Sequence, residues 1–163
     1  MGWIKHNAVL SYHFFSVLFS LVSFGLQADE SDIIKFKPDD ALYVRLGKTL
    51  YAENCASCHG INLEGQEGWR DLMVDGMRLA PPHDETGHTR HHADELLFKI
   101  TKYGYEALLG REYKVSMPVY DGLLKDDEII AILSYIKSTW PKHIVEVHDK
   151  INADYNLSKA NKL

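Results

Sequence analysis

At 163 residues the chain has room for one ordinary domain and little more. Hydrophobic residues at 45% and aromatic residues at 11% exclude a disordered chain, and a formal charge of −5 argues against a nucleic-acid binder. There are only two cysteines, three positions apart, so the disulfide framework common in small exported domains is excluded.

The first 28 residues differ from the rest. Lys5 is their only formal side-chain charge, and an apolar stretch from Ala8 to Leu26 ends in Gly25-Leu26-Gln27-Ala28, just before acidic Asp29-Glu30. This pattern predicts a secretory signal peptide over residues 1–28, with cleavage after Ala28. An uncleaved membrane anchor is the competing reading; Tyr12, His13 and several serines interrupt the apolar run it would need. Cleavage removes one of 18 basic residues and none of 23 acidic ones, leaving a formal charge of −6.

Residues 29–40 are polar and charged and read as a mobile leader, with Asp39 or Asp40 as a helix N-cap. From Ala41 to Asn54, Leu42, Leu46, Leu50 and Tyr51 recur at helical spacing. Gly47 sits in the middle of that helix, where glycine costs about 1 kcal/mol against alanine. A glycine in such a place marks the close approach of another element.

The helix runs into Cys55-Ala56-Ser57-Cys58-His59, the C-x-x-C-H signature of covalent haem attachment. Thiols three residues apart on a helical turn share one side of the backbone. Both can add to the vinyl groups along one porphyrin edge, and His59 carries an imidazole beneath the ring, where one nitrogen reaches the iron. A redox dithiol needs no histidine and normally follows a strand. A tetrahedral zinc site wants further ligands, and the chain has no third cysteine. One covalent haem c is the expected cofactor, held by Cys55 and Cys58 with His59 as an axial ligand. Together with the export signal, the motif predicts a periplasmic location, or the periplasmic face of the membrane if the N-terminal segment is kept.

Residues 60–92 carry many breakers, among them Gly60, Gly65, Gly68, Gly76, Pro81, Pro82 and Gly87. So long a stretch without regular structure is unusual in a compact domain, but a loop that packs on a porphyrin resolves the difficulty. Trp69, Leu72 and Leu79 are its expected anchors, and a short helix is expected over Arg70–Asp75. His83, His88, His91 and His92 lie within ten residues, beside Asp84, Glu85 and Asp94. Imidazole suits copper and zinc, but the spacing matches no fixed ligand geometry. The alternatives are helix-entry contacts and partners for the haem propionates, a role also open to Arg90, Tyr113 and Trp69; arginine is the best suited by its fork of donors.

A second helix is expected from about Ala93, with Asp94 and Glu95 in its first turn, a stripe of Leu96, Leu97 and Ile100, and Gly104 as its C′ residue. Residues 105–124 read as loop and contain Met117-Pro118. A third helix runs from about Lys125 to Thr139 with Ile129, Ile132, Leu133 and Ile136 on one face, and Pro141 ends it. Ile144, Val147, Ile151 and Tyr155 continue at helical spacing as a fourth, amphipathic helix with a frayed end from Asn156. No strand alternation stands out, so the fold class is all-α. For the second axial position, Met117 lies in a late loop with Pro118 to stiffen it, and a thioether raises the potential relative to bis-His ligation. Met73 and Met77 compete but lie close behind the motif, and a methionine is also ordinary core filler.

The motif order resembles the class I cytochrome c family over residues 41–140: Gly47-x-x-Leu50-Tyr51 before Cys55-x-x-Cys58-His59, then Met117-Pro118, then a final helix with Ile132-Leu133-Ser134-Tyr135-Ile136. The resemblance implies helices wrapped around one haem, the first and last crossing with Gly47 against Tyr135. It implies Met117 as the distal ligand and a prolyl carbonyl, from Pro81 or Pro82, orienting His59. Two departures are the long segment before those prolines and Lys125 where a Ser or Thr cap is common. The expected organisation is a signal peptide (1–28), a leader (29–40), the cytochrome domain (41–140) and a C-terminal helical extension (141–163). The expected function is one-electron transfer between redox proteins or with a respiratory complex, with no nucleic-acid partner and membrane contact only through an uncleaved N-terminus. Two alternatives stand beside it: a haem enzyme or sensor with an open distal site, and a metal-delivery or assembly factor using the histidines.

Overall fold

Asp40 opens the first helix by accepting hydrogen bonds at Oδ1 from the backbone N–H groups of Leu42 (2.9 Å) and Tyr43 (3.3 Å). Aspartate suits this position because it satisfies donors that have no partner inside the helix. The computed structural model describes residues 1–2 and 33–162; the expected signal peptide and the start of the leader, Met1 and Gly2 aside, lie outside them. Helix α1 spans Ala41–Asn54, and α2, a single turn over Ala56–His59, follows at once. Strands β1 (Met73–Val74) and β2 (Met77–Arg78) form an antiparallel hairpin. A 3-10 turn at Thr89–His91 precedes α3 (Asp94–Leu109), α4 (Asp126–Ser138) and α5 (Lys142–Ala160). The all-α class holds. Among the described residues no helix is long and apolar enough to cross a membrane.

Helix α1 crosses α4 at Gly47. A methyl group built there would overlap the carbonyl oxygen of Ala131 and come 2.9 Å from Tyr135 Cβ, so only glycine lets the two backbones approach this closely. Tyr51, one turn on, is buried with its ring 5.6 Å from that of Tyr135, and its hydroxyl donates to the Gly60 carbonyl (2.8 Å). The buried residues of α1 are therefore Gly47 and Tyr51, with Leu50 half-buried beside them. Leu42 and Leu46, expected in one stripe with Leu50 and Tyr51, are 66% and 46% exposed, because the crossing at Gly47 turns their side of the helix outward. Gly47→Ala is expected to destabilise the domain by about 1–3 kcal/mol, the usual range for overpacking, read as a fall of several degrees in the thermal midpoint.

Ile129, Ile132, Leu133 and Ile136 of α4 are buried as their periodicity predicts, packed with Phe36, Tyr51, Leu97, Phe98, Tyr120 and Trp140. Three expectations change. The segment Arg70–Asp75 is not a helix: Asp75 (φ 50°) and Gly76 (φ 76°) both take left-handed conformations, and so form the tight hairpin turn that joins β1 to β2. Gly104 (φ 80°) does break α3, but helical residues resume beyond it to Leu109. The leader is anchored where it is described, since Phe36 is buried and its N–H donates to Asp94 Oδ2 (2.8 Å), while that of Lys37 donates to Ser134 Oγ (2.8 Å).

Helix α5 is fastened by a buried polar network. His148, with 0% of its surface exposed, hydrogen-bonds the His92 carbonyl through Nε2 (2.8 Å). Asn152 accepts from the Asp94 N–H (2.7 Å) and donates to Asp94 Oδ1 (3.0 Å). Lys137 pairs with Asp149 (2.6 Å), and Lys159 with the buried Glu95 (2.6 Å). Burial holds the His148 imidazole below the ordinary histidine range, with Lys137 adding to the effect and Asp94 opposing it. Folding therefore favours the neutral ring, and this stability is present above the unfolded pKa near 6.5 and lost as pH falls below it. The thermal midpoint is expected to drop on acidification below pH 6.5, with a slope contribution of up to about 1.4 kcal/mol per pH unit from this residue. In His148→Gln that contribution to the slope disappears.

Candidate haem-binding site

The five-residue motif sits at the end of α1 and in α2, where one cavity of about 360 Å³ gathers Cys55, Cys58 and His59. Backbone bonds from the N–H groups of Cys58 (3.1 Å) and His59 (2.9 Å) to the Cys55 carbonyl hold both thiols and the imidazole on one turn. Cys58 is exposed, and Cys55 is half-buried with its thiol pushed up to about 11 by burial. His59 is 8% exposed, and burial lowers its pKa, leaving a neutral imidazole. Its Nδ1 lies 2.8 Å from the Pro81 carbonyl. In the tautomer that donates this bond, Nε2 keeps its lone pair for a metal. Between the two candidate prolines it is Pro81 that meets His59; Pro82 is buried under Gly65 and Gly87 and does not line the cavity.

Met117 lines the same cavity together with Val115 and Pro118. Its loop is held at both ends. The Arg78 N–H donates to the Lys114 carbonyl (3.0 Å), tying the loop to β2, and the Tyr120 hydroxyl donates to the Asn54 carbonyl (2.7 Å) beside Cys55. Gly104 permits a close pass, since a methyl group there would lie 3.0 Å from Val119. Met73 and Met77 are 53% and 38% exposed in the hairpin and do not line the cavity.

The cavity wall combines apolar side chains (Leu79, Leu97, Ile100, Ile132, Leu133 and Ile136) with polar ones at Trp69, Arg70, Arg78, Tyr105 and Tyr113. Trp69, Leu79 and Tyr113 line this cavity, whereas Leu72 is 56% exposed and does not. Arg90 does not line the cavity, yet its Nε is buried without a hydrogen-bond partner. Arg70 and Arg78 are the arginines that do line it; sequence reasoning misses both, because Arg70 reads only as the start of a short helix and Arg78 lies in a two-residue strand too short to show alternation. Of the histidine cluster, His83, His88 and His92 line the cavity and His91 does not. Among the described residues no three His, Cys, Asp or Glu side chains converge on a metal position. An apolar slot bearing two thiols and a neutral imidazole, with arginines and phenols in its wall, fits an amphipathic porphyrin with two carboxylates.

Residues 44–140 match the family model described as Cytochrome c. The chain is 29% identical over 92 residues to the cbb3-type cytochrome c oxidase subunit FixP of Bradyrhizobium diazoefficiens, covering 56% of this chain and 29% of that protein. It is 29% identical over 111 residues to FixP of Bradyrhizobium sp. strain ORS 278, covering 68% of this chain and 35% of that protein. To the cbb3-type subunit CcoP of Azospirillum brasilense it is 30% identical over 97 residues, or 60% of this chain and 28% of that one. The chain thus spans about a third of the length of these relatives. No solved structure matches it. With the match extending over more than half of the sequence and Cys55 and Cys58 gathered at one cavity, the chain belongs to the cytochrome c family, as an electron-transfer protein with covalently bound haem c.

Proposed function

We propose that the protein is an exported, periplasmic one-electron carrier, its haem attached through Cys55 and Cys58 and ligated by His59 and Met117, which exchanges electrons with a respiratory oxidase complex. The observation that carries this reading is that Met117 alone among Met73, Met77 and Met117 lines the cavity of the attachment motif. Bound there, haem c supplies an iron that cycles between ferrous and ferric states by single electrons. The Pro81 carbonyl orients His59 and raises its basicity. Met117 contributes a soft, neutral thioether that favours the ferrous state. The apolar residues of α3 and α4 exclude water and keep the local dielectric low. Filling both axial positions from the chain leaves no site for substrate and little to rearrange between redox states. The resemblance to cbb3-type oxidase subunits supports a respiratory partner, and the N-terminal pattern supports export.

The ferric absorption spectrum tests the ligand set: a weak sulfur-to-iron band in the red is expected, and its absence would remove Met117. The mature chain is expected to begin at Asp29, which N-terminal sequencing or intact mass checks; a retained Met1 would indicate an anchor.

A further inference from the structure

We infer that His83 is a positioning residue for the His59 imidazole, braced from behind by Trp140; this rests on His59 being the proximal ligand. The two rings are stacked, with centroids 4.0 Å apart and planes 22° from parallel. The bond to the Pro81 carbonyl fixes only one corner of the His59 ring, which remains free to pivot about that contact. A flat neighbour at stacking distance removes the pivot.

His83 is itself held on several sides. Its Nδ1 meets the hydroxyl of buried Thr89 at 2.6 Å, and its backbone N–H donates to the Leu63 carbonyl at 2.8 Å. Its carbonyl accepts from Trp140 Nε1 at 2.8 Å, and its ring meets that of Tyr51 edge-on, with centroids 6.3 Å apart. A leucine would fill the same space without requiring a buried hydroxyl partner, so the polar ring is an expensive choice for packing alone. Trp140 also meets the His148 ring edge-on at 5.0 Å. Helix α5, which lies beyond the family match, thus stiffens the support of His59.

The plane of an axial imidazole governs the spread of ferric haem-methyl resonances, and its outer partners tune the potential. In the purified holoprotein, His83→Leu is expected to change the haem-methyl pattern and to shift the ferric–ferrous equilibrium by about threefold or more. His83→Phe keeps a flat ring and is expected to retain a pattern close to the parent's. A Leu variant with the parent's pattern and potential overturns the inference, as does a Phe variant that behaves like Leu. If His83→Leu does not fold or retain haem, Thr89→Val, which removes the hydroxyl that holds the His83 ring and so frees it to turn off His59, is read by the same two measurements; unchanged values there also overturn it. A parent protein without the low-spin signature of imidazole ligation would instead sink the reading of His59, so the two failures are distinguishable.

Discussion

The double variant Cys55→Ala/Cys58→Ala is expected to show no haem staining on a denaturing gel and to lose cooperative unfolding. The first outcome follows from the absence of any other cysteine to form a thioether. The second follows from where the cavity lies. Leu97, Ile132, Leu133 and Ile136 belong at once to its wall and to the central core. Without haem those side chains lose the van der Waals contacts of a whole ring on one face, in a domain whose total stability is typically only roughly 5–15 kcal/mol. Far-ultraviolet circular dichroism against temperature would show a broad, shallow transition in place of a sharp one. A sharp transition at the parent's midpoint would mean that the protein core stands without its cofactor. Either single variant, keeping one thioether, is expected to retain haem at lower yield.

Met117→Ala should have the second-largest effect. With Met117 as the proposed distal ligand, the substitution is expected to remove the red sulfur-to-iron band, lower the reduction potential by more than about 59 mV, tenfold in a one-electron equilibrium, and let the ferrous protein bind carbon monoxide at neutral pH. Such a fall would reflect the loss of a soft ligand that favours ferrous iron. Met73→Ala and Met77→Ala are the controls: both side chains stand in the exposed hairpin, and neither substitution should move the band or the potential. If carbon monoxide binds the unaltered protein equally well, the distal position is open and the alternative of a haem enzyme or sensor takes precedence.

Much of the site was legible in the sequence where chemistry constrains spacing. Two thiols and an imidazole must share one helical turn, so residues 55–59 could be read without a fold. Gly47 was legible because a mid-helix glycine is costly and has to be explained by a neighbour, which proves to be Ala131 and Tyr135. Periodicity was weaker evidence. It finds that Leu42, Leu46, Leu50 and Tyr51 recur on a helix but does not say which flank meets a partner, and the crossing at Gly47 leaves the first two outside. Pro81 and Pro82 are adjacent, so spacing could not decide whose carbonyl turns toward His59. The Asp75-Gly76 turn was missed because its strands are only two residues long, too short to show alternation. Nothing local marks His83 as a stacking partner or His148 as the buried clasp of α5, since each depends on residues brought together from distant parts of the chain.

The crossing at Gly47 also has a bearing on timing. Tyr43 at the start of α1 meets Asp127 of α4 only across 84 residues of sequence. A polypeptide made from its N-terminus presents Cys55, Cys58 and His59 long before α4 exists to close against them. Contacts between such distant segments form late, because the intervening loop must first give up its freedom. The turn that gathers Cys55, Cys58 and His59, whose backbone bonds span no more than four residues, can therefore form before the crossing of α1 and α4 closes.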